Sequence, residues 1–189
     1  MLYLASQSPR RRELLAQLGL DYSVLDVDII EQRQPGEPAA DYVSRVAREK
    51  AGAGLLSVMA LPDALVLGAD TEVVLGDTVY GKPSNAADAA RMLAELSGRT
   101  HQVITAVWLM SAGREEHANC TSSVRLAHLS NQDIERYVAT GEYVGKAGGY
   151  AIQGRAAAFI EHLSGSYSSV MGLPLHQVSL LLQKFSSPA

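Results

Sequence analysis

The run Leu2-Tyr-Leu-Ala5, Ser6-Gln-Ser8, Pro9-Arg-Arg-Arg12, Glu13-Leu-Leu15 constrains the fold of this chain more than any other segment. Its apolar start reads as a short buried strand. Ser8 then takes the N-cap position, and Pro9 the first helical position, where its missing N–H costs nothing. The helix carries Leu14, Leu15 and Leu18 on one face and stops at Gly19. Strand, cap and helix in direct succession call for layered α/β architecture. The same segment gathers the hydroxyls of Ser6 and Ser8 and the guanidinium groups of Arg10 and Arg11 around a helix start. That start already presents free N–H groups and the positive end of the helix dipole. Basic side chains in a first turn oppose the dipole unless an anion is present, so the spacing points to phosphate. The plain alternative is a solvated basic turn, and Arg12 is assigned to solvent.

The remaining pattern extends this reading. Tyr22–Val27 reads as a second strand, followed by a polar loop from Asp28 to Pro38 that contains Glu31. Residues from Ala40 to about Leu56 form a long helix with Tyr42, Val43, Val46 and Ala47 inward. Ala64–Gly68 is an apolar strand ending at Gly68-Ala-Asp70-Thr71, and Glu72–Val79 reads as a hairpin turning at Gly76-Asp77. Asn85, with Asp88 three residues on, opens a helix ending at Gly98. Gln102–Met110 and Thr121–Leu129 read as long strands, and Ser130 and Asp133 cap a helix that stops near Gly141. Glycine-rich Gly145–Gly154 leads to a strand around Ala157–His162, and Pro174 starts the last helix. Alternation early and an antiparallel pair in the middle give an α/β domain with a mixed sheet.

Composition excludes several classes. The 189 residues are 47% hydrophobic and 19% charged, enough for a real core in one domain or two joined lobes. A net charge of -4 gives no overall attraction to nucleic acid, so any anion site is local. One cysteine, Cys120, allows no internal disulfide and fits a reducing compartment. No run approaches the roughly 18 apolar residues of a membrane helix, so the expectation is a cytoplasmic chain with neither membrane nor nucleic-acid partner.

Other chemistry-bearing residues sit at defined places. Lys50 lies four residues after Val46, on the inward face of the long helix, where it either snorkels to the edge or is aimed at a phosphate oxygen. Asp70 directly follows an apolar strand, the position at which α/β sheets present ligands, although a turn aspartate is the alternative. Glu31 and Asp70 are suited to share one divalent cation, since magnesium sites use one or two carboxylates plus substrate phosphates. Gly76-Asp-Thr-Val-Tyr-Gly81-Lys82 starts like a P-loop, but Pro83 stands where the magnesium-binding hydroxyl belongs. The P-loop is rejected, and Lys82 is kept as a phosphate contact. The five histidines show no metal-ligand spacing.

In order along nearly the whole chain, Ser6-x-Ser-Pro-Arg-Arg11, Glu31, Ala47-Arg-Glu-Lys50-Ala51, Gly68-Ala-Asp70-Thr71 and Gly81-Lys82-Pro83 resemble the Maf family of nucleotide pyrophosphatases. So do Leu96-Ser-Gly98, Lys146-Ala-Gly148, Ile152-Gln-Gly154 and Val170-Met-Gly-Leu-Pro174. The resemblance implies a single Maf-like domain over residues 1–189. Its fold would be α/β, a curved mixed sheet flanked by helices and two-lobed around a central cleft, in the Maf and ITPase-like manner. It also implies a divalent metal, Mg²⁺ or Mn²⁺, usually a homodimer, and a link to septum formation. The implied reaction takes a nucleoside triphosphate to the monophosphate and pyrophosphate. One branch of the family acts on dTTP and UTP and another on 7-methyl-GTP. Arg10, Thr71 and Gln153 stand where the second branch tends to have tryptophan, glutamine and glutamate, so all three resemble the dTTP/UTP branch. A glutamine offers donor and acceptor together, as the edge of uracil or thymine requires.

The expected roles follow. Glu31 and Asp70 hold the metal, with Asp28 in the same loop as the less favoured ligand. Asp70 is the proton acceptor for the attacking water. Ser8, Arg10, Arg11, Lys50 and Lys82 neutralise the phosphates, and Thr71, Gln153 and Arg10 select the base. A non-catalytic nucleotide-sensing regulator of septum formation is the rival reading, disfavoured because an anion binder gains nothing from two nearby acids.

Overall fold

The computed structural model describes residues 1–186. Its strands are β1 (Leu2–Ala5), β2 (Tyr22–Leu25), β3 (Leu65–Leu75), β4 (Thr78–Tyr80), β5 (Thr100–Ser111), β6 (Arg114–Leu126) and β7 (Ile160–Ser164). Its helices are α1 (Pro9–Ala16), α2 (Ala39–Ser57), α3 (Ala86–Leu96), α4 (Asn131–Val138), α5 (Tyr167–Val170) and α6 (Leu175–Ser186). The strands form one seven-stranded open sheet in the order β2-β1-β3-β5-β6-β7, with β4 paired to β3. β1 runs parallel to both β2 and β3, placing Leu4 beside Val24 and Leu67. β4 on β3 and β7 on β6 are antiparallel, so the sheet is mixed as the alternation implied.

The described residues divide into two compact units: 1–70, 105–120 and the segment from 172 onward, and 71–104 with 121–171. In the first, α2 buries Tyr42, Val43, Val46, Ala47, Lys50, Ala51 and Gly54 along one stripe of helical period. Beneath it Ala5, Val58, Ala64 and Val66 pack with Tyr3, Leu25, Val27 and Leu55. The second unit has a core of its own. Leu93 and Leu96 of α3, Ile134 and Tyr137 of α4, Val124 and Leu126 of β6, and Tyr150 and Ile152 are all buried in it.

Several boundaries differ from the sequence reading. β3 does not stop at Gly68 but continues through Asp70 to Leu75, because Val73-Val-Leu75 finds a partner in β4. β6 begins at Arg114 rather than Thr121, since its Glu115–Asn119 stretch alternates as a strand with one wet face. Ser8 occupies the N-cap of α1 without a side-chain cap bond; the Ser6 hydroxyl accepts the Ser8 N–H instead. Asn85 accepts the Asp88 N–H, but the Asp88 carboxylate accepts from Ser84, whereas Ser130 and Asp133 complete a reciprocal capping box.

Candidate active site

A missing side chain sets the central geometry. A Cβ on Gly68 would lie 2.5 Å from the Ala47 carbonyl oxygen and 2.6 Å from the Ala51 nitrogen. The α2 backbone therefore rests directly on β3 at this residue, which only glycine permits. Lys50 sits on α2 between those two contact points. Asp70 lies two residues beyond Gly68, on the same face of the strand. The lysine Nζ donates to Asp70 Oδ1 at 2.7 Å and also pairs with Glu31 Oε1 at 2.8 Å. The Lys50 side chain is 10% exposed and that of Asp70 6%, so this pair is buried, and Glu31 reaches the same ammonium from an exposed position. The structure thus brings Glu31, Lys50 and Asp70 together from a loop, a helix and a strand. Asp28, the other loop acid weighed from sequence, is exposed.

The arginine-rich start of α1 belongs to the same unit. Arg11 donates from Nε to the Gly172 carbonyl oxygen at 2.8 Å and from a terminal nitrogen to the Ser6 hydroxyl at 3.4 Å. Ser6 is buried, Ser8, Arg10 and Arg11 are half-buried, and Arg12 is exposed.

The donor set fits a hard divalent cation. Glu31 and Asp70 offer carboxylate oxygens, and Asp70 Oδ2 is buried with no hydrogen-bond partner. Among the described residues no group of three or more His, Cys, Asp or Glu side chains is set to hold a metal. Two acids are nonetheless what magnesium needs when substrate phosphates complete its shell.

Lys82, Thr71 and Gln153 fall in the second unit. Lys82 and Gln153 are exposed and Thr71 is half-buried. The Gly81 carbonyl accepts the Gly148 N–H at 3.1 Å, which ties the Lys82 segment to the glycine-rich stretch. Pro83 follows Lys82 without a helix, so no P-loop forms. Sequence reasoning passed over the buried Glu72 and the Gly172 carbonyl. An acid two residues after Asp70 on a strand was a signal for the first. The second carried none, because every residue has a carbonyl.

Comparison with known proteins shows what the chain is similar to. The family model described as Maf-like protein matches residues 1–185. A dTTP/UTP pyrophosphatase of Xanthomonas axonopodis pv. citri is 57% identical, covering 99% of this chain and 100% of that one. One of Cupriavidus metallidurans is 50% identical over 97% of this chain and 96% of its own. Among solved structures, the Staphylococcus aureus Ham1 protein aligns with a TM-score of 0.44 at 15% identity, over 67% of this chain and 71% of that one.

Proposed function

The chain belongs to the Maf-like protein family, and we propose that it hydrolyses dTTP and UTP to the nucleoside monophosphate and pyrophosphate. The observation that carries this reading is the end-to-end match, at 50–57% identity, to relatives named for that activity. The buried Lys50–Asp70 pair, with Glu31 reaching the same ammonium, supports it chemically, because a buried ion pair is weak as a source of stability and is better explained by a role in chemistry.

In the proposed reaction Asp70 takes a proton from the attacking water. The resulting oxygen nucleophile attacks the α-phosphorus in line, the bond to the bridging oxygen breaks, and pyrophosphate leaves. Arg10, Arg11, Ser8, Lys50 and Lys82 bind the phosphate oxygens and offset the charge that develops on them. Glu31 and Asp70 would hold Mg²⁺ or Mn²⁺. When bound, such an ion polarises phosphoryl oxygens and makes water more acidic. Thr71, Gln153 and Arg10 select the base, the glutamine amide offering one donor and one acceptor. We assign the protein to the cytoplasm, which the single cysteine supports, with no nucleic-acid partner, which the net charge of -4 supports; the homodimer rests on the family resemblance alone.

A panel of canonical triphosphates, assayed with Mg²⁺ or Mn²⁺ for pyrophosphate and monophosphate, tests the reading. Metal-stimulated release of pyrophosphate, fastest from dTTP and UTP, is expected. Release of orthophosphate instead would overturn it. Binding of dTTP without turnover would point to the nucleotide-sensing regulator.

A further inference from the structure

The turn that carries Gln153 is bracketed from both sides by the end of α4. Gln153 itself is exposed, while Ala151 and Ile152 before it and Ala156 after it are buried. The Gly154 N–H donates to the Ala151 carbonyl at 3.0 Å and closes the turn. On one side the Tyr137 phenol oxygen accepts the Ala151 N–H at 3.0 Å. On the other, Glu142 Oε2 accepts the Arg155 N–H at 2.8 Å. Both bracketing groups come from one short run of chain. Tyr137 lies in the last turn of α4, and Glu142 follows shortly after it. Thr140 locks the two together: its hydroxyl donates to the Tyr137 carbonyl at 2.6 Å and accepts the Glu142 N–H at 3.1 Å.

Gly154 completes the arrangement. A Cβ there would lie 2.2 Å from Glu142 Oε2, so the carboxylate fills the space a side chain would need. The bond to Arg155 N–H is charge-assisted, which makes it the stronger of the two brackets. A carboxylate also only accepts, so it cannot turn over and present a donor to that N–H.

We propose that Glu142 is a positioning residue for base selection, fixing the 151–155 turn so that the Gln153 amide meets the base in one orientation. This rests on the reading that Gln153 contacts the base. At the 3- and 4-positions of the ring, uracil and thymine present a donor and an acceptor where cytosine presents an acceptor and a donor. An amide held in one orientation tells them apart, and an amide on a loosened turn re-orients to suit either.

The test measures steady-state kinetics on dTTP and dCTP, with thermal melts, for the intact protein and four variants. Glu142→Ala is expected to raise KM for dTTP about tenfold, the size of one lost hydrogen-bonded constraint, with kcat little changed, and to narrow the dTTP-over-dCTP preference. Glu142→Gln keeps an acceptor oxygen for the Arg155 N–H and restores most of that preference. Gly154→Ala leaves Glu142 in place but displaces its carboxylate, and is expected to narrow the preference as Glu142→Ala does. Gln153→Ala separates the two layers of the argument. If it leaves the preference unchanged, Gln153 does not read the base and the proposal falls with that reading. If it narrows the preference while Glu142→Ala and Gly154→Ala do not, the proposal alone is overturned. A Glu142→Ala protein that melts lower and loses kcat with its preference intact, unrescued by glutamine, also overturns it, since that is the mark of a merely structural contact.

Discussion

The first unit sets a buried ammonium against its acids, whereas the core of the second holds a neutral pair, His101 and Tyr150. In the first, Lys50 lies between Glu31 and Asp70 with both carboxylate contacts under 3 Å. In the second, His101 and Tyr150 share a hydrogen bond of 2.7 Å deep in the core. Burial pushes the His101 imidazole down to about 4 and the Tyr150 phenol above its usual value, so both stay uncharged at neutral pH. Charges withdrawn from water repay their desolvation only when geometry is excellent, and an apolar replacement often does as well. The ionic cluster is therefore weak evidence for stability and better evidence for chemistry. The neutral pair is ordinary core whose cost appears only in acid.

The sharpest way to break this contrast is Asp70→Asn. Turnover of dTTP with metal should fall by roughly a hundred- to ten-thousandfold, the usual cost of losing a general base. Glu31 still pairs Lys50, so circular dichroism should report an intact fold. Near-normal turnover would remove Asp70 from the mechanism and leave the cluster without a chemical reason.

Next in size is the pH response of the second unit. Below pH 6.5 the unfolded chain takes up a proton on His101 that the folded chain refuses until about pH 4. Stability from this group is fully present above pH 6.5 and is lost as pH falls through that window, by about 3 kcal/mol in all. Urea unfolding at pH 7 and pH 4.5 should show the loss, and His101→Gln should flatten it. An equal slope in the variant would mean that other groups set the acid limit.

Gly68→Ala tests how the ionic cluster is seated. Its methyl group meets α2 backbone rather than a yielding side chain, so a loss of about 1–3 kcal/mol is expected. Activity should fall further than stability explains, because Lys50 moves away from Asp70. The smallest effect belongs to a more exposed ion pair on α2, that of Arg48. Arg48 meets Glu115 at 2.8 Å and stands over the Trp108 ring, but both charged side chains are about half exposed. Arg48→Ala should cost under about 1 kcal/mol and leave turnover unchanged. A larger loss would mean that exposure does not separate the Arg48 pair from the Lys50 pair.

What the sequence disclosed depended on periodicity and order. The helical stripe Val43, Val46, Ala47, Lys50 was legible because its spacing is repeated, and it placed Lys50 on the inward face correctly. The ordered run of short motifs pointed to the family along nearly the whole chain. Gly68 misled, because a glycine that ends a strand and a glycine that admits a neighbouring backbone look alike in one dimension. The start of β6 was missed for a related reason: Glu115 and Glu116 read as loop unless the alternation is known to face water. The Arg11 contact to the Gly172 carbonyl, across 161 positions, was beyond any local pattern.

Direct seating of α2 on β3 at Gly68 has an evolutionary consequence. Where two backbones touch, no layer of side chains lies between them to transmit or absorb a change. The outer faces of that helix can drift through many generations of replacement while the ammonium it carries keeps its place. One position must stay bare for all the others on that surface to remain free.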